Sequence, residues 1–170
     1  MKGLPFKDKY SSELNLYILF DSALIDGFYM SLSNIDKLNY KSLFIGTSEE
    51  SSATFGPVLV ELKPDIHSSL ISTLITYQTT YPTPIWLQTS ITFTPLFNTL
   101  RKLLHVEKED GSQYFFRYYD QLCFPGFWQI ITDHPDYTGM MRKIDWAIWQ
   151  TSLQQYQYYT KNKMGDALCR

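Results

Sequence analysis

Apolar residues fall along this chain in short dense runs separated by segments of helical spacing. Leu14–Phe20 (LNLYILF) is rich in strand formers and stops at Asp21, which predicts a buried strand. Asp21 suits a helix N-cap, and Leu24, Phe28, Leu32 and Ile35 then recur at helical steps, predicting an amphipathic helix over 22–35. Ser42–Gly46 (SLFIG) predicts a second strand, Thr47–Phe55 a polar loop or short helix, and Pro57–Leu62 (PVLVEL) a third strand. Asp65 can cap a helix in which Ile66, Leu70 and Leu74, with Ile71 and Ile75, repeat four apart. Pro84–Thr89 (PIWLQT) predicts a fourth strand. Thr94-Pro95 marks a helix start, since a capping hydroxyl precedes a proline in the first helical position. Leu96, Leu100 and Leu103, with Phe97 and Leu104, form the stripe of that helix. Val106–Asp110 and Gln113–Tyr119 are strand-like runs around Asp110-Gly111, a hairpin turn signal. Asp120 suits the cap of a helix holding Leu122, Phe127, Trp128 and Ile131. Residues 132–139 form a turn-rich break, 140–161 an aromatic-rich final helix and 162–170 a frayed end.

Strands alternating with helices predict an α/β fold with a mixed, partly parallel sheet flanked by helices. The expected division is an α/β core over 1–131 and a short C-terminal helical extension over 132–170. A chain of 170 residues can bury roughly 70% of its extended surface, enough for a real core. Charged residues make up 19% and the net charge is −2, so no basic excess draws nucleic acid or an anionic membrane. The two cysteines, Cys123 and Cys169, form no CxxC pair and no disulfide framework. The first apolar run is too short for a signal-peptide core or a membrane span, which predicts a cytoplasmic protein.

Catalytic signatures are sparse. Phosphate-loop, GxGxxG, GxSxG and HExxH patterns are absent, and the eight glycines are scattered. Ser48 follows a strand in a turn-like context that favours capping over nucleophilic work. His67, His105 and His134 have no partners at metal-ligand spacing, so no metal or cofactor is expected. Asp21 and Asp120 both come directly after apolar strands, where sites gather in such sheets. They could serve acid–base chemistry or a magnesium ion, or simply each cap a helix. Arg117, inside the apolar run FFRYY, needs a partner, and Asp21 or Asp120 can supply it as a structural ion pair. In the C-terminal segment, Trp146, Trp149, Tyr156 and Tyr159 stand among glutamines with few charges, an interface composition.

The ordered series NLYILFDSAL, SLFIGTSEE, FGPVLVEL, LRKLLHV and, after an acidic-Gly turn, FFRYYD resembles the adaptor chaperones of type VI secretion systems over roughly residues 15–131. The matching positions are Asp21, Leu43-Phe44, Gly46-Thr47, Gly56-Pro57, Arg101, and Arg117 with Tyr119-Asp120. The resemblance implies a non-enzymatic role: binding a secreted effector in the cytoplasm and helping to load it onto the VgrG spike. Many members carry a longer helical region after this core, which makes the aromatic tail a candidate for effector contact. A small α/β enzyme using the strand-end acids and a toxin-neutralising immunity protein are the alternative expectations.

Overall fold

A computed structural model describes residues 3–6, 13–107, 110–133 and 139–160. His134, Cys169, most of the polar lead-in and the segment 162–170 lie outside the described residues. Strand β1 (Asn15–Asp21) is buried along nearly its whole length. It occupies the middle of a six-stranded sheet of order β2-β3-β1-β4-β7-β8. The other strands of that sheet are β2 (Asn39–Ser42), β3 (Pro57–Leu62), β4 (Ile85–Thr89), β7 (Ile144–Gln150) and β8 (Gln155–Tyr159). Strands β5 (His105–Glu107) and β6 (Gln113–Phe115) form a separate hairpin, as the Asp110-Gly111 signal predicted.

Every neighbouring pair in the large sheet is antiparallel, which corrects the expectation of a mixed, partly parallel sheet. The reason lies in the position of β1. Strands β3 and β4 both run antiparallel to β1 and therefore parallel to each other, as a β-α-β alternation implies. They are not neighbours, because β1 is inserted between them.

The expected C-terminal helical extension is also corrected. Residues 144–159 form the antiparallel pair β7–β8, and β7 is hydrogen-bonded to β4 within the central sheet. Ile144, Trp146 and Ile148 face one side while Asp145, Ala147 and Trp149 face the other, a period of two. The helix expected over 22–35 is broken into a 3-10 turn (Ser22–Leu24), a single turn α1 (Phe28–Ser31) and a second 3-10 turn (Leu32–Asn34). Gly27, at φ +71°, interrupts it before α1. In SLFIG the strand ends at Ser42, and Leu43–Gly46 turn away from the sheet.

Helices α2 (Ser68–Tyr77), α3 (Phe93–Lys102) and α4 (Phe124–Asp133) complete three layers. One sheet face presents Tyr17, Leu19, Leu59, Ile85, Leu87 and Trp146 to α3 and α4. The other presents Ile18, Phe20, Val58, Val60 and Trp86 to α1 and α2. Polar groups inside the second layer are matched. The Trp86 indole donates to buried Gln78 (2.9 Å), Gln78 donates to the Tyr156 hydroxyl (2.7 Å), and Tyr156 donates to the Gly3 carbonyl (2.6 Å). His67 is likewise buried: Nδ1 accepts from the Lys63 amide at 3.0 Å, and Nε2 lies 3.3 Å from the Asp36 carbonyl. Among the described residues, no helix is long and apolar enough to cross a membrane.

Trp146 is wholly buried, with ring centroids 5.1 Å from Phe124 and 6.4 Å from Phe127. Trp149 is half-buried on β7, 5.1 Å from Tyr156 of the edge strand β8. Trp146→Ala is expected to lower unfolding free energy by about 3–5 kcal/mol, and Trp149→Ala by about 1–2 kcal/mol. Urea unfolding of the two variants measures the difference; equal losses would contradict this packing.

Candidate functional site

Strand β1 ends where β3 and β4 begin: Asp21 pairs with Pro57, and Leu19 pairs with Ile85. The matching residues of the sequence motifs gather around this end of the sheet. Asp21, only 2% exposed, is their hub. One carboxylate oxygen accepts from the Ala23 amide at 3.2 Å, capping the 3-10 turn as the sequence predicted. The other accepts from Arg117 Nη2 at 3.2 Å, and the Asp21 amide donates to Thr83 Oγ1 at 3.2 Å. Of the two candidate partners for Arg117, the structure selects Asp21. Asp120 instead accepts from the Leu122 amide at 2.9 Å, so it caps the turn that leads into α4.

The two members of the ion pair sit in different surroundings. The Arg117 side chain is 53% exposed and lies over the Tyr119 ring at 5.6 Å, whereas Asp21 is enclosed. Burial pushes the Asp21 carboxyl above its ordinary value, against the lowering influence of the Ala23 amide and Arg117. Burial, then the negative charge of Asp21, pushes the Tyr119 phenol up to about 12. Tyr118, fully buried, donates to the Leu100 carbonyl at 2.7 Å and anchors this segment on α3.

Beside the ion pair, two glycines allow close approach. A Cβ on Gly56 would stand 2.4 Å from the Phe44 ring, so Phe44 can lie flat there only over glycine. Gly46 has φ +80°, and a Cβ there would stand 2.6 Å from Arg101 Nη1, which donates to the Ile45 carbonyl at 3.1 Å. The loop beyond is held by Glu49, which lies 3.3 Å from His105 Nε2 and accepts from Ser48 Oγ at 2.7 Å. Against the burial that raises it, hydrogen bonds from Ser48, Thr47 and His105 hold the Glu49 carboxyl down to about 2.

This framework leaves aromatic side chains in solvent. Phe55, next to Gly56, is 63% exposed; Tyr114 and Phe115 on β6 are 48% and 40% exposed. Phe115 packs against Phe44 (5.7 Å) and lies 6.4 Å from Tyr119. Phe115 therefore adjoins the Phe44–Gly56 contact and shares the Tyr119 ring with the half-exposed Arg117. Sequence reading passed over Phe55 and Phe115. Phe55 stands out only as a lone aromatic in the polar run TSEESSATF, and strand alternation puts Phe115 on the face of Arg117 and Tyr119, away from Phe116, without saying that this face is open.

The aromatic residues singled out near the C-terminus are placed differently. Trp146 and Tyr159 lie in the core, Tyr159 being 5.0 Å from Phe124 and 5.8 Å from Trp128. Trp149 and Tyr156 are half-buried, and Tyr156 is engaged by Gln78 and Gly3. Those four residues do not form an open surface. Among the described residues, no group of three or more His, Cys, Asp or Glu side chains could hold a metal ion.

The raised value for Asp21 fixes the sign of a pH effect. Its folded form holds a proton more tightly than the unfolded chain, so stability falls as pH rises from below 3.8 through the raised value. Asp21→Asn keeps the cap and escapes that loss. Urea unfolding from about pH 3 to about pH 7 is expected to show a gap opening in favour of the variant as pH rises. A gap opening in favour of the wild type would mean that the attraction of Arg117 outweighs burial.

No curated protein matches the chain, and no solved structure does. A family model matches residues 16–135, from β1 to just beyond α4. The match takes in the sheet end and its motif residues and covers most of the molecule: the chain belongs to the family described as a domain of unknown function (DUF4123).

Proposed function

We propose that the chain is an adaptor chaperone that binds a type VI secretion effector in the cytoplasm and helps load it onto the VgrG spike. The ordered sequence motifs support this reading, and family membership over residues 16–135 is compatible with it. The observation that carries it is the exposed Phe115 ring, 6.4 Å from the Tyr119 ring over which Arg117 lies, with Arg117 itself held by Asp21. Aromatic side chains with arginine dominate the binding energy of protein interfaces. A fixed arginine also loses less side-chain entropy when a partner covers it. The strand-end acids offer less to an enzymatic reading, because Asp21 is tied to Ala23 and Arg117 and Asp120 caps Leu122.

Co-purification tests the proposal. Tagged protein, co-expressed with the effector and spike genes that neighbour its own, is expected to retain both products. Changing Phe55 and Phe115 together to Ala is expected to cut effector recovery about tenfold or more. Trp149→Ala is expected to leave recovery unchanged. Recovery of neither product with the wild type would refute the adaptor role. Capture of a toxin whose growth arrest is relieved, without any effect on export, would assign an immunity role instead.

A further inference from the structure

We infer that β6 is an open strand edge to which an extended segment of a protein partner adds a third strand, with an apolar residue set opposite Phe115. The inference rests on the adaptor reading and specifies how the partner is held. The Phe116 amide donates to the Leu104 carbonyl at 2.7 Å, and β5 and β6 run antiparallel with His105 opposite Phe115. Antiparallel pairs alternate between those that exchange hydrogen bonds and those that do not. Leu104–Phe116 and Val106–Tyr114 are therefore the bonded pairs, and the amides and carbonyls of Gln113 and Phe115 point away from β5. Among the described residues the hairpin has no third strand, and neither Gln113 nor Phe115 makes another backbone–backbone hydrogen bond. Phe115 is 40% exposed and Tyr114 48%, so these outward groups meet water.

Donors and acceptors spaced along a strand edge match the backbone of another extended chain. A two-stranded hairpin gains most from such an addition, since two strands alone are marginal. The side chains add selectivity. His105 and Phe115 share one side of the hairpin, their rings 5.7 Å apart, and Phe115 leans on Phe44 at 5.7 Å. A partner residue opposite Phe115 projects to that same side, where an apolar group covers the exposed ring. A second copy of this chain suits the edge less well. Its β6 is three residues long, so a two-fold contact along it buries far less than the roughly 800 Å² per partner of a stable interface. A segment of a larger protein can run past both ends of β6 and make further contacts beyond it.

The test follows hydrogen exchange of single backbone amides in the intact, isotope-labelled chain, alone and with its purified co-encoded effector. In the free chain Gln113 and Phe115 are expected to exchange faster than Phe116, which is hydrogen-bonded to Leu104. Effector binding is expected to slow Gln113 and Phe115 about tenfold or more. Gln113→Pro removes one outward donor and no hydrogen bond within the hairpin, a change that edge strands tolerate. It is expected to weaken effector binding about tenfold, and Gln113→Ala less than about twofold. The exchange result on the wild type stands even if the proline variant folds poorly. Unchanged exchange at Gln113 and Phe115 in the bound complex, or equal affinity of the two variants, would overturn the inference while leaving the adaptor reading intact. Failure of the effector to bind would overturn both. Slow exchange of the two amides in the free chain, with sedimentation as a dimer, would give the edge to a second copy and overturn the inference as well.

Discussion

A carboxylate enclosed at the end of a central strand has to be matched, and around Asp21 that requirement organises one whole end of the molecule. Its burial is unfavourable to the charge. Two groups answer the carboxylate, the Ala23 amide in the next turn and Arg117 from the segment after the β5–β6 hairpin, while the Asp21 backbone donates to Thr83 before β4 and pairs with Pro57 across the sheet. The Arg117 contact spans 96 positions in sequence and fixes where that segment runs. Tyr118, alternating with Arg117, then turns inward to α3, and Asp120 caps the entry to α4. A pair of this kind contributes little net stability and a good deal of positional definition.

That positional definition has a surface consequence. The chain is unusually aromatic, and among the described residues most of the large rings are consumed by the two packed layers. Phe44 lies over Gly56, Phe115 leans on Phe44, and Phe55 projects from the adjoining turn. The exposed Phe115 ring thus rests on a buried one, which limits its freedom before any partner arrives. Arg117 is oriented in the same way by Asp21 and Tyr119. A surface prepared in this manner loses less entropy on binding than mobile side chains would.

Much of this was legible in local pattern. The dense run before Asp21, the PVLVEL and PIWLQT strands, the stripe of α3 and the Asp110-Gly111 turn all appear where spacing put them, to within a few residues. The ion pair at Arg117 was legible because an arginine in the apolar run FFRYY needs a carboxylate, although the strand itself ends at Phe115. Strand order was not legible: a β-α-β alternation fixes that β3 and β4 run parallel, and nothing local says that β1 lies between them. The 144–159 hairpin was misread because Ile144 and Ile148 satisfy both a helical step of four and a strand step of two. Trp146 decides for the strand, since it shares their face. The setting of Phe115 depends on how Phe44 and Glu49 meet the hairpin, contacts across more than fifty positions.

Hydrogen–deuterium exchange of the chain alone and bound to its co-encoded effector addresses the binding surface directly. Protection confined to residues 46–56 and 110–117 is the expected result. Protection over β7 and β8 instead, with the Phe55 and Phe115 segments unchanged, would place the contact on the opposite edge and contradict docking at the sheet end.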